Sequence, residues 1–250
     1  MATGTAGTSR RRSSGKTGER YCEDLSFAAK EAFKRLRTNL VMSFPTGDTS
    51  CHMIGITSAQ PSDGKSTIAI NLAFTLAELG KRVLLMDADM RRSSIHEKAG
   101  VEKVPGLSDL LSKSSTISDS IKRYVNRKGE ASFDIITGGN IPQNPSELLN
   151  SARMSALLQT LSESYDYIVI DLPPIGAVVD AISVAGVIDG MLVVVRENAC
   201  PRRLLSECMS QLEYAKINVF GFVVNGAMEG SGKSYQYGKY GSSGYYSSYY

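Results

Sequence analysis

Short apolar runs recur along this chain at strand length, and between them lie longer stretches whose apolar positions fall three and four apart. The first helical stretch is "CEDLSFAAKEAFKRLRTNLVMSF", where Leu25, Ala29, Ala32, Phe33, Leu36 and Leu40 keep helical spacing and Pro45 ends the pattern. "HMIGITS" then reads as a strand, and "KSTIAINLAFTLAELG" as a helix closed by Gly80. "RVLLMD" and "FDIIT" are strands. "NPSELLNSARMSALLQTLSESY" is a helix with a marked start: Asn144 can cap it, Pro145 suits the first turn, and Glu147 completes an N-x-x-E box. The strand "YDYIVIDL", the helix "VDAISVAGVI", the strand "GMLVVVR", the helix "CPRRLLSECMSQLEYAK" and the strand "NVFGFVVN" follow.

The strands are near-continuous apolar runs, the pattern of strands covered on both faces of a parallel sheet. Their alternation with helices predicts an α/β, doubly wound, mainly parallel sheet. There is no internal repeat. The flanks differ in kind. Residues 1–20 are rich in Ser, Thr, Gly and Arg and read as a disordered leader. Arg10, Arg11 and Arg12 could touch anionic lipid, but a solvated leader is the simpler reading. Residues 21–228 hold the periodic pattern, and 229–250 turn to Gly, Ser, Lys and Tyr with no core pattern at all.

Composition narrows the class. At 250 residues and 42% hydrophobic, the chain can bury one substantial core. A net charge of +3 with no long basic face does not point to nucleic acid. Cys22, Cys51, Cys200 and Cys208 show no CxxC spacing, and two histidines are present, so zinc and a disulfide framework are disfavoured and a reducing cytoplasm fits. No apolar run nears the roughly 18 residues of a membrane span, and the basic start lacks the apolar stretch of a secretory signal.

The chemistry enters with "ITSAQPSDGKSTIAI". Ala59, Gln60, Pro61, Ser62, Asp63, Gly64, Lys65, Ser66 and Thr67 form a P-loop with alanine at its first glycine, set between a strand and a helix as the motif requires. Loop and helix amides would face phosphates, Gly64 would let the backbone approach, Lys65 would reach the β- and γ-phosphates, and the Ser66 hydroxyl could ligate Mg²⁺. Asp63 is odd in an anion site, and its side chain is expected to turn away. In "YDYIVIDLPP", four apolar residues carry Asp171 to the carboxyl edge of the sheet, where it could hold Mg²⁺ through water. "RVLLMDADMRRSS" sets Asp87 and Asp89 at another strand end. One could orient Mg²⁺ and the other accept a proton, and a solvated acidic turn is equally open. Arg91 and Arg92 could face phosphate or pair with those aspartates.

The ordered set "SAQPSDGKST", "VLLMDADMRR" and "IVIDLPP", with "ITGGNIPQNPSELL" between the last two and tyrosines at the end, resembles the bacterial tyrosine kinases of capsule and exopolysaccharide synthesis over roughly residues 31–250. The resemblance implies a P-loop NTPase fold, ATP with Mg²⁺, and catalytic roles for Lys65, Asp87, Asp89 and Asp171, with Ser66, Asp87 and Asp171 around the metal. It implies autophosphorylation of Tyr235, Tyr237, Tyr240, Tyr245, Tyr246, Tyr249 and Tyr250. It also implies a ring-like homo-oligomer such as an octamer, built through a Glu-x-x-Arg-x-x-Arg motif matched here by Glu31, Lys34 and Arg37. Lys34 departs from that motif, and a lysine cannot reproduce a bidentate arginine contact; Glu31 could instead pair with Arg35 on the helix surface. "DLPP" stands where members often have "DTPP".

Because the chain opens on Met and shows no span, it resembles the branch in which kinase and membrane activator are separate chains. The implied partners are a membrane-anchored adaptor, a tyrosine phosphatase and protein substrates of polysaccharide synthesis, with the chain peripheral to the inner face of the cell membrane. The alternative is a P-loop ATPase switch of the septum-positioning or DNA-partitioning type. Those carry a second lysine early in the loop, which "AQPSDGK" lacks.

Overall fold

The computed structural model describes residues 22–45, 50–129, 131–176 and 179–227. Seven strands form one sheet in the order β3-β4-β2-β5-β1-β6-β7. They are β1 (His52–Ser58), β2 (Val83–Asp87), β3 (Ile121–Val125), β4 (Ser132–Ile136), β5 (Tyr167–Asp171), β6 (Gly190–Arg196) and β7 (Val219–Asn225). All neighbours run parallel except β3 and β4. The helices are α1 (Phe27–Val41), α2 (Lys65–Ala77), α3 (Ile95–Ala99), α4 (Leu107–Leu111), α5 (Ile117–Ser120), α6 (Pro145–Leu149), α7 (Ala152–Ser162) and α8 (Arg202–Tyr214). This is the expected doubly wound, mainly parallel sheet. No helix among the described residues is long and apolar enough to cross a membrane.

The apolar runs divide by parity. Val83, Leu85, Tyr167 and Val169 face one core with Ile54, Ile56 and the buried face of α2, while Leu84, Met86, Ile168 and Ile170 face the other with Met154, Leu158, Cys208 and Leu212. Alternate side chains leave a strand on opposite faces, so a sheet covered twice needs apolar residues at every position. Helix α2 is buried on nearly all sides, lying between the sheet and α1.

Several local expectations are corrected. Helix α1 begins at Phe27, where the Ser26 hydroxyl accepts from the Ala29 amide, and Cys22–Asp24 is a short 3-10 turn. The stretch 144–165 is two helices, because the Ser151 hydroxyl caps a new start by accepting from Met154 N. Asn144 makes no cap bond; its amide donates to Glu147 Oε2 instead. Val179–Val187 is 3-10 rather than α. The edge strand β3 and the short helices α3–α5 have no counterpart in the apolar pattern of the sequence. The leader, the tail from 229 and its tyrosines lie outside the described residues.

Candidate active site

The P-loop leaves β1 and enters α2 at the carboxyl edge of the sheet. It is folded by its own side chains. Ser58 Oγ donates to the Gln60 carbonyl at 2.7 Å. Gln60 Nε2 reaches both Asp63 Oδ1 at 3.0 Å and the Ala199 carbonyl at 3.1 Å. Gly64 holds φ +98°, a left-handed conformation that glycine adopts without steric cost. A Cβ there would collide with the Asn225 amide. Asp63 is fully buried and braces the loop from behind, so it has turned away as expected.

A cavity of about 470 Å³ opens above this loop. Pro61, Ser62, Gly64, Lys65, Ser66 and Thr67 line it, with Asp89 and the cations Arg91, Arg92, Lys98 and Arg196. Ala59 lies buried beneath, and Gln60 and Asp63 serve the loop rather than the cavity. A cradle of backbone amides at a helix start, ringed by cations, is chemistry for phosphate.

Three aspartates stand in different states. Asp87 and Asp171 end the adjacent strands β2 and β5 as direct register partners, both fully buried. Asp87 is tied down: Ser93 Oγ (2.8 Å), Ser94 N (3.1 Å) and Ile95 N (3.2 Å) donate to Oδ2, and Asp89 N (3.2 Å) to Oδ1. Burial still lifts its pKa to about 6, with Asp89 adding to the rise. Neither oxygen of Asp171 has a hydrogen-bond partner. Burial first, then the Asp87 charge, raise it to about 8, against the lowering pull of Lys65 and the Ser66 hydroxyl. Asp89 is nearly buried yet reaches the cavity, where Oδ1 accepts from Arg92 N at 3.1 Å.

The orphaned Asp171 oxygens beside Ser66 fit a hard cation held mainly by oxygen; in Asp87, Oδ2 is already engaged by three donors and Oδ1, with one, keeps a lone pair for the same ion. No group of three or more His, Cys, Asp or Glu among the described residues forms a metal cage. Mg²⁺ bound with phosphates needs few protein ligands.

Two groups escaped the sequence reading. Arg196 lines the cavity and donates to the Ser62 carbonyl at 3.4 Å. Asn225 donates to the Asp63 carbonyl at 2.8 Å. Both end strands, and no local motif marks either. Elsewhere, Glu31 pairs at 2.8 Å with Lys34 rather than Arg35 on the exposed side of α1. Arg37 faces inward, donating to the Thr75 carbonyl of α2 at 2.7 Å.

Comparison with known proteins agrees with this geometry. The AAA domain family matches residues 51–213. The tyrosine-protein kinase YwqD of Bacillus subtilis is 36% identical over 212 residues, covering 85% of this chain and 86% of that protein. The tyrosine-protein kinase etk of Escherichia coli K12 is 35% identical over 210 residues, covering 84% of this chain but 28% of that protein. The solved kinase domain of Escherichia coli tyrosine kinase ETK matches with a TM-score of 0.75 at 34% identity, covering 84% of this chain and 80% of that one.

Proposed function

This chain belongs to the bacterial tyrosine-protein kinases, and from that premise we propose that it uses ATP and Mg²⁺ to phosphorylate the tyrosine cluster at its own C-terminus. The observation that carries the proposal is the position of β7. It runs parallel to β6 and β1 and ends at Asn225, within hydrogen-bond distance of the P-loop. A tail following this strand would therefore start near the nucleotide site. Tyr235 follows Asn225 by ten residues, which span roughly 35 Å when extended, enough to reach a neighbouring subunit's cavity.

Lys65, the loop amides and the cavity arginines would hold the triphosphate and offset charge on the transferred group. Ser66 and Asp171 would hold the metal, which supplies further charge neutralisation when bound. The tyrosine oxygen forms a bond to the γ-phosphorus as the bridging P–O bond breaks, and ADP leaves. A phenol has a pKa of about 10 and arrives protonated. Asp89 is the better placed to take that proton late, since it lines the cavity while Asp87 is fully buried and held by four donors. Asp87 would hold the Asp89 loop in place.

The family resemblance supports the wider setting: a ring-like homo-oligomer, a membrane-anchored activator, a phosphatase, and control of capsular or exopolysaccharide synthesis from the inner face of the cell membrane. The test is direct. Wild type and Lys65→Ala are incubated with ATP and Mg²⁺, with and without the cytoplasmic segment of a candidate activator, and phosphate is mapped by mass spectrometry. Phosphate on Tyr235–Tyr250 that vanishes in Lys65→Ala is the expected result. An unmodified tail with ATP still hydrolysed would return the chain to the ATPase-switch reading.

A further inference from the structure

We propose that Asn225 is a positioning residue for phosphate binding, fixing the orientation of one peptide unit of the P-loop from the far strand. The inference rests on the nucleotide reading above and adds a residue that no P-loop motif contains.

The loop has an unusual backbone. Ser62 holds φ +67° and Gly64 φ +98°. A serine in the left-handed region is sparsely populated and persists only where its surroundings fix it. The fixing contacts share one feature: each engages a loop carbonyl. The Gln60 carbonyl accepts from Ser58 Oγ, the Ser62 carbonyl from Arg196, the Asp63 carbonyl from Asn225 Nδ2, and the Gly64 carbonyl from Ile68 N at 3.0 Å.

A trans peptide is planar, with its C=O and N–H pointing in opposite directions. Holding the Asp63 carbonyl against Asn225 therefore turns the Gly64 N–H the other way, and Gly64 lines the cavity. That N–H stands at the start of α2, where the first amides lack helical acceptors. If the peptide turned over, a carbonyl oxygen would meet the phosphates in place of a donor. Glycine at 64 makes such a turn sterically easy, so something outside the loop has to oppose it. Asn225 is suited to this. It is half-buried, its own carbonyl accepts from Glu197 N at 2.8 Å, and its amide sits so close to Gly64 that no side chain fits between them.

The test compares two ligands that share phosphates and differ in the base: ATP and tripolyphosphate, each titrated with Mg²⁺. Asn225→Ala removes the donor without adding charge. Losing one hydrogen bond of ordinary net strength weakens binding by about three- to tenfold. The expected result is that ATP and tripolyphosphate weaken by the same factor, and KM for ATP rises in step. kcat at saturating ATP stays within about twofold, and the melting temperature without nucleotide falls by no more than about 2–4 °C, the cost of one hydrogen bond in a domain of this size. Asn225→Asp, with a carboxylate facing the Asp63 carbonyl, weakens both ligands further.

Unchanged affinity for both ligands would overturn the proposal. So would a loss confined to ATP, which would mean that Asn225 touches the base. A fall in melting temperature that accounts for the loss in both variants would reduce Asn225 to a structural role. If the unchanged chain binds neither ligand, the nucleotide reading itself fails, and this inference with it.

Discussion

Replacing Asp171 with asparagine should stabilise the unliganded fold while destroying its chemistry, and the pH dependence tests the reasoning. The native carboxyl keeps its proton up to about 8, whereas an unfolded one releases it near 3.8. Between those values the native state binds more protons, so wild-type stability falls as pH rises through the window. Below 3.8 the cost is absent, and above about 8 it is complete. At about 1.4 kcal/mol per tenfold change in proton affinity, the full cost is at most about 6 kcal/mol. Part of it belongs to Asp87, which stands beside Asp171 on β2 and shares the repulsion. The asparagine amide has a cost of its own, about 1–3 kcal/mol if left unsatisfied. That cost does not vary with pH, so the informative quantity is the change in the mutant–wild-type difference. Urea denaturation with EDTA and no nucleotide, at pH 5.5 and pH 8.5, should show the advantage of Asp171→Asn over wild type growing by roughly 2–3 kcal/mol. A difference that stays flat, or shrinks, as pH rises would refute the view that Asp171 is an unsatisfied carboxylate kept for function at the expense of stability.

Two further outcomes are expected. Arg37→Ala should lose about 1–2 kcal/mol in urea denaturation, because it frees the Thr75 carbonyl under α1, whereas Glu31→Ala breaks only an exposed pair and should stay within about 0.5 kcal/mol. Each tail phosphate adds about −1.5 to −2 charges, so phosphorylated protein should sediment as a smaller species than unphosphorylated protein under the same ATP and Mg²⁺; identical profiles would sink the idea that phosphorylation loosens the oligomer.

The fold was legible where one physical cause wrote a continuous signal. Strands buried on both faces carry few polar positions, and those at their ends, so β1, β2, β5 and β6 stand out as apolar runs. Strand β3, "IKRYV", escaped because it lies at the sheet edge with only partial burial, and its Lys122 and Arg123 hide the pattern. The break between α6 and α7 escaped because the apolar spacing runs through it, and only the Ser151 cap marks it. The site divides along the same line. Groups that meet the nucleotide through a contiguous loop are written as a motif, since their spacing is fixed by the loop itself. Groups that act across the sheet carry no such spacing: Arg196 and Asn225 reach the P-loop from the ends of β6 and β7, 134 and 162 residues away in sequence. Their positions follow from the order β1-β6-β7 and its register, which pairs Arg196 with Asn225. A topology that brings β7 beside the first β–α turn makes Asn225 a neighbour of the phosphate loop.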